Sequence, residues 1–261
     1  SRMSAYLHYG MVSPMRVARE ASAIVGKSAE KYLDELLIWR ELAYHFCFHK
    51  NDHDQWSAIP QWAQDTLRKH QTDLRPNIYP WEQLARGETD SDLWNAAQRS
   101  LLMQGELHNN VRMTWGKAIL NWTADPEAAL KMMIDLNHRY ALDGRDPASY
   151  GGLLWCLGQF DRPFKPEKPI LGTVRPRPIH HHASRLDPQQ YAAKVTTPRF
   201  SPIPKVAIIG AGMSGTIAAR TPWCGGDHFR EKSERWRPHV HSKTRWPAQL
   251  RSRGSILYRS G

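Results

Sequence analysis

Between Ser13 and about Ile134, apolar side chains recur at spacings of three and four residues, the period of a helix with one buried face. "SPMRVAREASAIV" sets Ser13 as an N-cap with Pro14 at the first helical position. "SAEKYLDELLIWRELAYHFCF" then places Leu33, Leu36, Leu37, Trp39 and Leu42 along one stripe. A shorter helix is predicted over "IPQWAQDTLRKHQTD". "TDSDLWNAAQRSLLMQG" starts at a Thr/Asp/Ser cap and stops at Gly105. "ELHNNVRMTWGKAILNWT" and, after Asp125, "PEAALKMMIDLNHRYALDG" complete the set. No alternating strand pattern interrupts residues 1–161, so this part reads as all-α.

From Arg162 the pattern changes. Prolines become dense and periodicity is lost as far as Pro204, which predicts a basic extended arm over 162–195 and a linker over 196–204. "KVAIIGAGMSGTIAAR" then reads as a strand meeting Gly210, Gly212 and Gly215 in G-x-G-x-x-G spacing before a helix, the dinucleotide-binding fingerprint in its proper context. Residues 205–220 are thus the truncated Rossmann-like β-α start of a second module. Residues 221–261 carry neither helix nor strand pattern. Read one nucleotide later with permitted codons, much of that tail resembles the segment after the first helix of amine-oxidase-like flavoproteins. A frame-shifted remnant of a fused flavin oxidoreductase is therefore the expectation, with a basic disordered tail as the alternative.

Composition alters this picture mainly through its distribution. The net charge is +11, yet residues 1–161 hold 17 Lys and Arg against 20 Asp and Glu, a balance of −3. Residues 162–261 hold 19 against 5, or +14, so nucleic-acid affinity resting on charge belongs to the arm and beyond. Cys47, Cys156 and Cys224 are scattered, which suggests a reducing compartment. No apolar run is long enough for a membrane span and no secretory leader is evident, so a cytoplasmic location is expected. His180, His181 and His182 lack acidic or thiol support nearby in the sequence, and no metal is assigned.

The chemistry concentrates in "LWNAAQRSLLMQGELHNNVRMTWGKAILNW". Trp94, Trp115 and Trp122 stand 21 and 7 residues apart. Seven residues make two helical turns, which puts Trp115 and Trp122 on one face about 10 Å apart. On spacing alone the three are either core aromatics or a path for electron hopping.

Six blocks carry a family resemblance: "SRMSAYLHYG", "LLIWRELAYHF", "LWNAAQ", "GELHNNVRMTW", "LNHRYALDGRDP" and "YGGLLW". In order, they resemble the C-terminal flavin domain of DNA photolyases, nearest to those of class II that act on cyclobutane pyrimidine dimers. The resemblance implies a multi-helical domain over 1–161 that holds FAD in a U shape. It also implies light-driven electron transfer to a dimer flipped out of UV-damaged DNA, by a carbon–carbon lyase expected to act as a monomer. The family's N-terminal α/β antenna domain is absent from this sequence, and the chain begins inside the family's phosphate-binding turn. An active enzyme is thus expected of the parent more than of this polypeptide alone.

The same resemblance assigns roles. Trp115, Trp94 and Trp122 match the electron-transfer tryptophans, with Trp115 nearest the flavin, Trp94 in the middle and Trp122 outermost. Ser1, Met3 and Ser4 match the phosphate turn, and Asn109 the ribityl or adenine side. Arg112 and Asp143 match the pair beside the isoalloxazine, and Asn137 the amide near flavin N5. Asp146 either binds FAD or begins a turn. Glu35, Trp39, Met113 and Trp155 match the lesion pocket, where extruded bases stack on aromatic walls. Arg175 matches the region that enters the gap left in the DNA. Two departures stand out: Thr114 stands where the class often has an aromatic, and Ala148 and Ser149 stand where it usually has Asn-Gly-Tyr after Asp-Pro. A cryptochrome-like photosensor, with the same flavin and tryptophans but no repair, is the second reading. The third is an oxidoreductase built on Gly210, Gly212 and Gly215.

Overall fold

The computed structural model describes residues 2–179 and 187–196. Ser1, the three histidines at 180–182, the glycine fingerprint at Gly210, Gly212 and Gly215, and the tail over 221–261 lie outside the described residues.

Among the described residues eleven α-helices follow one another: α1 (Ser4–His8), α2 (Pro14–Ser22), α3 (Lys27–Asp34), α4 (Arg40–His49), α5 (Gln61–Lys69), α6 (Trp81–Arg86), α7 (Asp92–Gln104), α8 (Asn109–Trp122), α9 (Pro126–Tyr140), α10 (Pro147–Trp155) and α11 (Pro188–Thr196). Among the described residues there is no strand, only an isolated antiparallel bridge between Lys168 and Gly172. No helix among them is long and apolar enough to cross a membrane.

The long helix expected over 28–48 forms, but with a wider π turn at Glu35–Trp39 between α3 and α4. Such a turn inserts one residue into the helical register, and it frequently marks a functional site. Here Glu35, Leu36 and Trp39 all face one cleft, described below.

Helix α8 is the hub. Every residue from Val111 to Leu120 is buried, and the helix packs against α7, α9 and α10. Gly116 permits a close approach, since a Cβ there would stand 2.7 Å from Cys156 Sγ and 3.0 Å from Met133 Sδ. The ends of the neighbouring helices are fixed by side chains that satisfy otherwise orphaned backbone N–H groups. Ser91 Oγ accepts from Trp94 N at 3.3 Å, and Asp125 Oδ2 from Ala128 N at 2.9 Å. Gly105, at φ +64, closes α7 in the left-handed conformation that favours glycine.

The arm is less extended than its prolines suggest. Residues 164–174 fold back on α5: Ile170 N donates to Asp73 Oδ2 at 2.8 Å and Thr173 N to Thr66 Oγ1 at 3.0 Å, while Ile170, Leu171 and Val174 are buried. Further on, α11 forms where no helix was expected. Asp187 caps it through Gln189 N and Gln190 N, Pro188 opens it, and Tyr191 and Val195 bring one face onto α7. Asp-Pro also opens α9 and α10, so the signal was in the sequence but was outweighed by the prolines around it.

His70 tethers the arm. Its Nδ1 lies 2.7 Å from Asp73 Oδ2 and its Nε2 3.0 Å from Glu167 Oε2. Hydrogen bonding to Asp73, then to Glu167, raises the imidazole above its ordinary 6.5. Asp73 is held low by the Ile170 N–H and by His70, and Glu167 by Lys69 and His70. A raised imidazole stabilises the fold fully below 6.5, and that contribution is lost as pH climbs through the folded value. The carboxylates contribute in the opposite sense, losing their share as pH falls through their lowered values. His70→Gln should therefore lower the melting temperature measurably at about pH 6 and much less at about pH 8.5. An equal loss at both would show that the imidazolium is not what holds the arm.

Candidate functional site

A cleft of about 460 Å³ opens between α1, the α3–α4 π turn and the starts of α8 and α10. It collects residues from distant parts of the chain: Met3 and Ser4, Glu35 and Trp39, Asn109 and Arg112, Asp143 and Asp146, then Ser149 and Trp155. A smaller cavity of about 160 Å³ lies alongside, sharing Ser4, Leu107, His108, Arg112 and Asp143. The first turns of both α8 and α10 line the larger cleft, so the positive ends of two helix dipoles face it, a setting that favours an anionic group.

Arg112 and Asp143 form the wall between the two cavities. Arg112 Nη2 donates to Asp143 Oδ1 at 3.0 Å and to Oδ2 at 3.1 Å, and Nη1 donates to Ser149 Oγ. The pair is buried, at 5% and 8% exposure. Asn137 Nδ2 donates to Ser149 Oγ and to Gly144 O, both at 2.9 Å. Two polar atoms of this network, Arg112 Nε and Asn137 Oδ1, are buried without a protein partner. Buried polar groups are rarely left so; Arg112 lines both cavities, whereas Asn137, expected beside the flavin, lines neither.

Asp146 has its carboxylate engaged on several sides. Arg40 Nη1 donates to it at 2.9 Å and the Tyr44 hydroxyl at 2.9 Å, His8 Nδ1 lies 3.3 Å away, and Ala148 N donates as α10 begins. It is the N-cap of α10 and clamps that helix to α4.

On the opposite wall, Trp39 and Trp155 pack together with ring centroids 4.6 Å apart, inclined at 34°. Each indole N–H is tied to a carboxylate, Trp39 to Asp34 at 3.2 Å and Trp155 to Asp161 at 3.2 Å. Asp161 also accepts from Arg175 Nε at 2.9 Å and Nη2 at 3.0 Å, which joins the cleft wall to the arm. Burial pushes the Asp161 carboxyl up, but Arg175, the Arg162 N–H and Trp155 together hold it below the usual range. Arg175 lies outside the cleft and stacks over Phe164 at 4.1 Å. Glu35 pairs with Lys31 at 2.9 Å. Met113 is packed in the core and is not among the residues that line the cleft.

The three tryptophans of α7 and α8 are in ring-to-ring contact. Trp94 stacks on Trp115, with centroids 6.1 Å apart and planes within 3°, and meets Trp122 edge-on at 5.4 Å. Trp94 is the ring between the other two. Sequence reasoning missed Tyr79, whose ring meets Trp122 edge-on at 5.1 Å and extends the series. No sequence signal pointed to it, because it lies on a loop far from α8. Lys117 was also passed over. It is 2% exposed, its Nζ has no hydrogen-bond partner, and burial pushes its amine down to about 8.

No family model matches the chain. It is 41% identical over 179 residues to a deoxyribodipyrimidine photo-lyase of Arabidopsis thaliana, an alignment covering 67% of this chain and 36% of that protein. A protein of the same name from Oryza sativa subsp. japonica is 42% identical over 179 residues, covering 67% and 35%. One from Methanothermobacter thermautotrophicus is 41% identical over 175 residues, covering 67% and 39%. The chain thus spans little more than a third of the length of these curated relatives. For the part of the chain that they match, these relatives support assignment to the photolyase family.

Proposed function

We propose that this chain serves light-driven repair of cyclobutane pyrimidine dimers in DNA, with FAD held in the cleft. The observation that carries the reading is that a single cleft gathers Ser4, Glu35, Trp39, Asn109, Arg112, Asp143 and Trp155 from five separate segments. Its polar character supports the cofactor. The two helix starts and Ser4 suit a pyrophosphate, while Arg112, which lines the cleft and has an unpartnered Nε, suits the polar edge of a flavin ring.

Bound there in reduced form, FAD would supply the excited electron that splits a dimer. The chain's own residues orient and protect. Arg112, fixed by Asp143 and Ser149, presents positive charge where negative charge gathers on a reduced flavin. Asn137 supports this wall from behind, donating through Nδ2 to Ser149 Oγ and Gly144 O. Trp39 and Trp155 give a flat apolar wall for an extruded pyrimidine dimer, and Glu35 an acceptor for its polar edge. Arg175 and the basic arm meet the DNA backbone. Trp115, Trp94 and Trp122 refill an oxidised flavin one electron at a time. The protein acts as a monomer inside the cell.

The reading is tested by adding FAD to the purified chain, illuminating with blue light and a thiol reductant, and assaying thymine-dimer DNA. Flavin photoreduction followed by dimer loss is expected. Photoreduction without repair would favour the photosensor reading, and failure to retain flavin would overturn the site assignment.

A further inference from the structure

We infer that Ser149 is a cofactor-binding residue of the cleft: Arg112 and Asn137 occupy both lone pairs of its hydroxyl, and the remaining O–H donates to an acceptor atom on the polar edge of the bound flavin. The inference rests on the reading that places FAD in the cleft.

Ser149 is the third residue of α10 and stands at one of the two departures from the family pattern, so the resemblance assigns it no role. It is buried, at 1% exposure, and lines the cleft. Arg112 Nη1 and Asn137 Nδ2 both donate to its Oγ, the second at 2.9 Å. Neither bond can run the other way. A guanidinium carries donors only. The Asn137 amide is oriented by Gly144 O, which also accepts from Nδ2 at 2.9 Å. Turned over, Oδ1 would face that carbonyl, acceptor to acceptor. A serine hydroxyl has two lone pairs and one hydrogen. With both lone pairs spent, Ser149 keeps one function, that of a donor.

The direction of that hydrogen follows from the surrounding contacts. Asn137 lines neither cavity, so it reaches Ser149 from the side away from the cleft. On the same helix, Asp146 O already accepts from Ser149 N at 2.8 Å and from Tyr150 N at 3.2 Å. One turn further on, Gly152 also lines the cleft and has no side chain to cover Ser149. The open direction is into the cleft. Accepting from a guanidinium also polarises the hydroxyl and strengthens it as a donor. A donor-only hydroxyl makes the site selective. It favours a carbonyl oxygen or an unprotonated ring nitrogen, and opposes a ligand that presents an N–H at that point. The polar edge of a flavin ring alternates acceptors with a donor, so Ser149 sets the register in which that edge meets Arg112.

The test uses FAD labelled with carbon-13 at the ring carbonyls and nitrogen-15 at the ring nitrogens, bound to the purified chain and followed by NMR. In Ser149→Ala the resonance of one acceptor atom should move toward its value without a hydrogen bond, while the others stay in place. FAD affinity should fall about tenfold, as for the loss of one charge-assisted hydrogen bond. Resonances that all stay in place would overturn the inference. So would a shift spread across the ring, which signals a displaced Arg112 charge rather than a lost O–H. Ser149→Ala also leaves Arg112 and Asn137 without an acceptor, so helical content and melting temperature are measured beside it. If that variant does not fold, Ser149→Cys keeps the shape with a far weaker donor, and the same single-atom shift is expected of it. A wild-type chain that retains no FAD would overturn the reading of the cleft together with this inference. A flavin-loaded wild type whose variants leave every resonance in place would overturn this inference alone.

Discussion

Replacing Trp94 with Phe is expected to abolish photoreduction of bound flavin while sparing repair by protein reduced beforehand. Trp94 is the ring through which Trp115 and Trp122 connect, stacked on one and edge-on to the other. Benzene is much harder to oxidise than indole, and each ~1.4 kcal/mol added to the barrier of a hop costs about tenfold in rate. The direct route from Trp115 to Trp122 is two helical turns, where electronic coupling is weak. The substitution also removes the N–H bonded to Trp115 O and leaves a cavity, with a stability cost of about 1–3 kcal/mol. Flavin binding and helical content therefore have to be measured beside photoreduction. Steady-state photoreduction within twofold of wild type would return these rings to a packing role.

The largest loss of stability is expected at the Arg112–Asp143 pair. Asp143→Asn keeps the shape but leaves a guanidinium buried at 5% exposure without its counter-charge. Breaking a buried pair by removing one partner typically costs about 3–5 kcal/mol, because the remaining charge is dehydrated and unpaired. Denaturant unfolding of flavin-free protein should show that loss. The double variant Arg112→Met with Asp143→Leu should recover part of it, since neither charge then has to be desolvated. A cost below about 1 kcal/mol for Asp143→Asn would mean that water reaches the pair, as at a surface salt bridge. The same change should weaken flavin binding, because Arg112 lines both cavities.

Much of the helical architecture was legible along the chain. The predicted Ser/Thr/Asp caps, Gly105 and the three- and four-residue spacing marked α2, α3–α4, α5, α7, α8 and α9 to within a few residues. Those signals are local, acting within one or two turns. The π turn at Glu35–Trp39 was not legible, because an i→i+5 register has no composition cue and follows from what the helix packs against. α11 escaped because its short apolar pair, Tyr191 and Val195, becomes meaningful only once α7 offers a surface.

The candidate site divides in the same way. Resemblance singled out Arg112, Asp143, Trp94, Trp115 and Trp122, and in the fold Arg112 meets Asp143 and the three indoles touch. Met113 lies in the core, away from the cleft, since the face of α8 it occupies turns inward. Asp146 borders the cleft, but its carboxylate is engaged by Arg40, Tyr44, His8 and the start of α10. Tyr79 and Lys117 carried no signal, since a tyrosine or an amine is defined by its neighbours rather than by its spacing.

By itself, then, the sequence determined the helices α2 to α5 and α7 to α9, roughly where they start and stop, and which residue types stand at each position of α8. Those properties follow from hydrogen bonds and side-chain spacing within one or two turns of chain. Tertiary structure alone decided which indole N–H meets a backbone carbonyl and which a carboxylate, which carboxylate faces a cleft and which is spent on a clamp, and where a guanidinium and an amide are left with unpaired atoms. Those outcomes depend on contacts between segments tens of residues apart, and only packing fixes them.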